Sequence, residues 1–281
     1  SIVGVKSVAS NMGQVNNNGW EITLNSLNLD IKNKLQWYTN LSLSGYRNRI
    51  VHLYGDYDEN GVEQDDTENG WYIGHSIDAI YDYKSNGIWQ TEELEAARAE
   101  GKEYAGYYPG DYKMVDVNND GEYRPEDDRQ FLGHKNPHLF LNMTNDFTIF
   151  NDFTFSFTLY GAFGGMKNYN YEHFGALTLS DFDIPYWTEE NRSNKYPRMS
   201  ERDIDAVKTT NYIKTDFIRL SNITLGYNLP SKFIKHIGLT SAKVFCNVEN
   251  VAVWSPWPVW DPENTGGAVP RKFNFGVNVK F

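Results

Sequence analysis

Along most of the chain, apolar and polar residues alternate with a period of two, which marks strands whose two faces differ in character. Phe273, Phe275, Val277, Val279 and Phe281 share one face, and Asn274, Gly276, Asn278 and Lys280 the other. Phe153, Phe155, Phe157 and Leu159 alternate with Thr154, Ser156, Thr158 and Tyr160. Leu139, Leu141 and Met143 alternate with Phe140, Asn142 and Thr144, and Phe147 and Ile149 carry the apolar series on. The same holds around Trp20, Ile22 and Leu24; Leu35, Trp37, Leu41 and Leu43; Ile223, Leu225, Tyr227 and Leu229; and Val244, Cys246 and Val248. The pattern predicts seven strands of roughly ten residues, the length a tilted membrane-spanning strand needs.

The second face of these strands is Asn, Ser, Thr and Gly with few charges. A soluble sandwich would place more Lys and Glu there. Small neutral polar groups suit a wetted interior, with the apolar face toward lipid. The connections support a barrel wall. Those near 30–34, 150–152 and 230–241 are short, and the last holds a predicted helical turn ended by Gly238. The connections 55–137, 164–212 and 254–270 are long. Alternation of short and long puts every long loop at one end, as in outer-membrane barrels, and runs the final strand toward the short-turn end, where Phe281 stands.

Charge sharpens the division. The whole chain carries −11, whereas 55–137 holds 21 acidic and 7 basic residues, or −14, so the remainder is +3. The acidity belongs to one loop. It argues against nucleic-acid binding, which needs a basic face. A single Cys rules out an internal disulfide framework, and Cys246 fits a packed thiol. Aromatic content of 15% argues against a disordered chain.

The acidic loop contains Asp116-Val-Asn118-Asn-Asp120-Gly121-Glu122, followed by Asp127. This matches the oxygen-rich hairpin D-x-[DN]-x-[DN]-G that wraps a hard cation. Asp116, Asn118 and Asp120 would offer side-chain oxygens, Glu122 its carbonyl, and Asp127 the twelfth-position closure. Pro125 argues against a flanking helix. A structural Ca²⁺ is expected; an Asx-turn loop without metal is the alternative. The six His residues (52, 75, 134, 138, 173, 236) lack zinc-site spacing, and no G-x-S-x-G or P-loop occurs. Residues 91–100 predict a short helix. Trp254, Trp257 and Trp260 suit an interfacial girdle or loop packing, with a sugar-stacking platform as the other option. Trp71, Tyr72, Tyr186 and Trp187 are candidate ligand contacts, because flat rings stack on sugars; loop packing is the alternative for each.

Several stretches together resemble the C-terminal part of the SusC/RagA family of TonB-dependent outer-membrane transporters. They include Asn16-Asn-Asn-Gly19-Trp-Glu21-Ile, Pro109-Gly110-Asp111 ahead of the calcium-type loop, and Leu132-Gly133-His-Lys-Asn136-Pro137. Phe217-Ile-Arg219-Leu-Ser-Asn222-Ile-Thr-Leu225-Gly226-Tyr227 follows, then Asp261-Pro262-Glu263 and Pro270-Arg271-Lys-Phe273 through Phe281. Asn119 stands where the family usually has Gly. The resemblance implies an antiparallel transmembrane β-barrel of about 22 strands, of which these would be the final seven, and no enzymatic activity. It also implies import of oligosaccharides or peptides under a SusD-like surface lipoprotein, energy from TonB, and an assembly signal at Phe281. The plug and earlier strands are not in this sequence, so Ser1 is expected to follow a truncation or break. The rivals are a soluble calcium-stabilised carbohydrate-binding sandwich, a glycoside hydrolase on a β scaffold, and a siderophore or haem receptor.

Overall fold

The computed structural model describes residues 13–169, 185–198, 211–258, 260–264 and 266–281. His173 and much of the 164–212 connection lie outside the described residues. The elements are β1 (Gln14–Ile31), β2 (Leu35–His52), β3 (Ala79–Tyr83), β4 (Ser85–Ile88), α1 (Thr91–Ala99), β5 (Tyr112–Met114), α2 (Pro125–Asp128), β6 (Arg129–His134), β7 (Leu139–Ile149), β8 (Phe153–Phe163), β9 (Met166–Asn168), β10 (Tyr212–Lys214), β11 (Phe217–Asn228), α3 (Ser231–Ile234), β12 (Ser241–Trp254) and β13 (Lys272–Lys280). They divide into two compact units.

The first unit, from Ser1–Ile77, Asn136–Gly165 and Lys214–Phe281, carries a seven-stranded antiparallel sheet in the order β1-β2-β7-β8-β11-β12-β13. Every neighbour in the sheet is the next of these strands in the sequence, so it is a meander. The apolar and polar faces keep register across it. Leu24, Leu41, Met143, Leu159, Leu220 and Ala252 form one transverse apolar row. Trp37, Phe147, Phe155, Leu225, Cys246 and Phe275 form another, with Trp37 and Phe155 each stacked on Phe147 at 5.6 and 5.7 Å.

This apolar face is uncovered. Ile22 is 58% exposed, Leu225 56%, Phe153 50%, Phe275 78% and Val277 62%. A water-soluble sandwich would bury these residues in its centre, so that rival is excluded. A contiguous greasy sheet face is stable against acyl chains and not against water. No helix of the described residues is long and apolar enough to cross a membrane.

β1 and β2 run to 18 residues each, longer than predicted. Their excess, Gln14–Gly19 against Tyr46–His52, extends past the apolar band into polar sequence. A bulge at Asn28 resets the alternation, so Leu24 and Leu29 share a face despite their odd spacing. The short connections form as expected. Ser231–Ile234 continues into a 3-10 turn, Lys235–Ile237, and Gly238 caps it at φ 78°. Trp254 is 58% exposed at the end of β12, as a girdle residue would be, whereas Trp257 is packed.

The second unit, from Asp78–Lys135 and Met166–Ile213, has its own core. Leu94 of α1 is fully buried with Trp89, Tyr104 and Tyr107. The helix begins after Gln90, with Glu92 and Glu93 in its first turn, where negative charge meets the free amides. Three two-stranded ladders, β3 with β6, β4 with β5 and β9 with β10, complete the unit.

Candidate functional site

The polar face of the wall is the first candidate. One row crosses all seven strands: Asn25, Asn40, Thr144, Thr158, Asn222, Glu249 and Lys272. The strands are bridged side chain to side chain. Asn40 donates to Asn25, and the Thr144 and Thr158 hydroxyls are 3.0 Å apart. The Asn247 amide donates to Asn222 at 3.0 Å and to Thr224 at 2.9 Å, and Asn274 donates to Glu249 at 3.0 Å. Such a surface presents mostly neutral donors and acceptors, with Glu249 and Lys272 paired at 4.0 Å at one end of the row. It can hydrogen-bond water, sugar hydroxyls or peptide groups and bind none of them tightly.

At the long-loop end of this face stands Arg219, 5% exposed. Its Nη2 donates to both oxygens of Asp261, at 2.8 and 2.9 Å, and to Glu263 at 2.9 Å. Asp261 is 4% exposed and also accepts the backbone N–H of Glu263 at 3.0 Å. The Phe217 ring lies under the guanidinium at 5.3 Å. The connection 254–270 is thereby clamped to β11. Periodicity overlooked this clamp. Its visible signal was a lone full charge in an otherwise neutral strand, with two acids spaced i,i+2 in the last loop.

The calcium-type loop lies in the second unit. Asp116 accepts the backbone N–H of Asp120 at 3.2 Å and of Gly121 at 2.9 Å, and the Tyr104 hydroxyl at 2.9 Å. Asn118 accepts from Asp120 N–H at 3.1 Å, and its amide donates to the Asp120 carboxylate at 3.0 Å. Gly121 has φ 85°, and a Cβ there would strike Lys102 at 2.5 Å, so only Gly serves. The Asp120 carboxyl is held below its usual range, first by the Glu122 N–H and then by the Asn118 amide. Burial, followed by the hydrogen bond to Asp116, raises the Tyr104 phenol.

The twelfth position and its neighbour are placed differently. Asp127 is exposed, and Asp128, fully buried, turns inward instead, accepting Val117 N–H at 2.7 Å and Arg124 N–H at 2.8 Å. Pro125 does not stop a helix but starts one: it occupies the first turn of α2, where its missing N–H costs nothing. That turn carries the chain one residue past twelfth-position phase. Among the described residues no three His, Cys, Asp or Glu side chains converge as a metal group. The front of the loop, Asp116, Asn118, Asp120 and the Glu122 carbonyl, suits a hard cation by ligand type.

The four candidate ligand aromatics are divided between the two units. Trp71 and Tyr72 fall in the first unit, where Trp71 and Asp66 exchange backbone hydrogen bonds at 2.8 and 2.9 Å. Tyr186 and Trp187 fall in the second. Trp187 is 7% exposed, and its indole donates to Gln90 at 2.9 Å, so it packs the loop. Tyr186 is half-buried, its carbonyl accepting from Asn191 at 2.8 Å. Phe281 is 84% exposed at the end of the final strand.

No family model matches the chain. It is 26% identical over 310 residues to TonB-dependent receptor P3 of Formosa agariphila, covering 99% of this chain and 30% of that protein. TonB-dependent receptor P26 of the same organism is 28% identical over 307 residues, again covering 99% and 30%. Among solved structures, the RagAB peptide transporter superposes with a TM-score of 0.66 at 17% identity, over 96% of this chain and 30% of that one. The RagAB peptide importer in its 'open-open' state gives 0.67 at 16%, over 96% and 29%. The chain thus spans about 30% of the length of the proteins it matches.

Proposed function

We propose that the chain, similar over nearly its whole length to TonB-dependent receptors, belongs to the SusC/RagA family of transporters and forms part of the wall of an outer-membrane nutrient importer. The cargo class is oligosaccharide or peptide. A SusD-like surface lipoprotein covers the long-loop end, and TonB supplies the energy through a segment outside this sequence. The observation that carries this reading is the seven-stranded sheet with one uncovered apolar face and one amide- and hydroxyl-bearing face. Lipid satisfies the first face and a wet passage the second. The long loops contribute to the cavity and to the lid interface, and Phe281 is the end by which assembly machinery engages the wall.

Within the loop unit, Asp116, Asn118, Asp120 and the Glu122 carbonyl would hold a structural Ca²⁺, with Asp128 bracing the loop from behind. The ion supplies charge neutralisation in an acidic loop. With two carboxylates in that ligand set and no bidentate closure, the affinity belongs at the weak end of calcium sites.

The experiment is purification of the full-length protein from fractionated membranes in detergent. Recovery with the outer membrane, a co-purifying lipoprotein, and bound sugar or peptide identified by mass spectrometry is the expected result. A detergent-free, monodisperse soluble protein would end the proposal.

A further inference from the structure

On the apolar face, β1 and β2 pair from Ile31 with Leu35 up to Trp20 with Gly45. Setting the bulged Asn28 aside, that is about 10 residue steps, or roughly 33 Å along the strand and about 25 Å along the normal at a tilt near 40°. This is the height of an outer-membrane apolar band. Trp20 is half exposed and lies over Gly45, where a Cβ would come within 2.9 Å of the indole. It marks the upper rim, as interfacial Trp does.

Above that rim the same face changes character. Asn18 pairs with Arg47, then Asn16 with Arg49. Both arginines are exposed. The Arg49 guanidinium rests on Gly74, where a Cβ would sit 3.2 Å from Nη2. The backbone of Gly74 and His75 is tied to Ile50 of β2 by hydrogen bonds of 2.9 and 2.8 Å. Arg124, Arg129, Arg192, Arg198 and Arg219 all stand against carboxylates. Among the described residues Arg47 and Arg49 meet none, in a chain with 37 Asp and Glu. They lie about 5 and 10 Å above the band, at the depth of the headgroups.

We propose that Arg47 and Arg49, with the amides of Asn16 and Asn18, dock the phosphate of a lipid headgroup in the outer leaflet. Guanidinium forks match phosphate oxygens with two parallel hydrogen bonds. The acyl chains of the same lipid lie down the continuous face over Ile22, Leu24 and Leu43. The assignment rests on the outer-membrane reading above, which sets the long-loop end outside.

The test uses the full-length protein extracted from outer membranes in mild detergent and examined by native mass spectrometry, then reconstituted with lipid A or dephosphorylated lipid A. The wild type should retain phosphorylated glycolipid and prefer it over the dephosphorylated form. Arg47→Ala with Arg49→Ala should lower retention roughly 10- to 30-fold, while Arg47→Lys with Arg49→Lys keeps a substantial part. Heat-modifiable migration on gels verifies that each variant barrel is folded. Equal retention of the two lipids, or unchanged retention in the folded Ala variant, overturns the proposal. So does complete displacement of lipid by millimolar inorganic phosphate, which would make this a free-anion site. A wild type absent from the membrane fraction would instead defeat the barrel reading.

Discussion

Removing Arg219 should release the last long connection from the wall. Arg219 and Asp261 are 5% and 4% exposed, and their contacts are 2.8 and 2.9 Å. In Arg219→Met the Asp261 carboxylate would stay buried with only the backbone N–H groups of Glu263 and Asn264, at 3.0 and 3.3 Å. Removing one partner of such a pair costs about 3–5 kcal/mol, roughly a 10²- to 10⁴-fold rise in the open population at about 1.4 kcal/mol per decade. The Glu263 contact adds little, because that side chain is 44% exposed. Opening can be read by hydrogen exchange over 254–270, or by chymotryptic cleavage after Trp254 and Trp260 in the folded, detergent-solubilised protein. Arg219→Met combined with Asp261→Leu should recover most of the protection, since an apolar pair needs no compensation. Unchanged protection in the single variant, or a double variant more open than either single one, would refute the argument that charge burial holds the clamp.

Three further outcomes follow from particular contacts. Asn145, 4% exposed on the apolar face, accepts Trp37 Nε1–H at 2.9 Å and Thr39 Oγ1–H at 2.6 Å. Asn145→Leu should therefore lower the unfolding midpoint in detergent by the cost of stranding two donors, about 1–3 kcal/mol each at most. The Glu63 carboxyl is held below its ordinary value of 4.5 chiefly by the His52 hydrogen bond, aided by the backbone N–H groups of Tyr54 and Leu53. A lowered folded value means that its support is complete above about pH 4.5 and fades as pH falls through the folded value. Hydrogen-exchange protection over 52–71 should accordingly drop below pH 4.5 and hold at pH 6, and Glu63→Gln should flatten that response. Leu94→Ala, at a fully buried site, should cost about 2–5 kcal/mol and make the loop unit protease-sensitive while the wall keeps its heat-modifiable migration.

Much of the wall was legible because a strand's two-residue period carries its environment directly. Each face meets one solvent, so residue type at alternate positions reports that solvent. The calcium-type loop was legible for a similar reason: local backbone geometry needs Gly121 and short oxygen-bearing side chains at fixed spacing. Three features escaped. The Asn28 bulge shifts phase by a residue without changing composition. Asp128 displaces Asp127 because the one-turn helix at Pro125 alters the count. The Arg219 clamp joins residues 42 apart, a separation that no local pattern encodes.

The amino-acid order alone therefore settled the number of strands in the main sheet, the apolar and polar faces, the short and long ends, and where the negative charge collects. These are local or periodic properties of the chain. The fold decided which polar residues are buried in pairs, which arginines are left without carboxylates, and that the ligand-candidate aromatics fall into separate units. Those outcomes depend on register between distant segments, and register is set by tertiary packing as a whole.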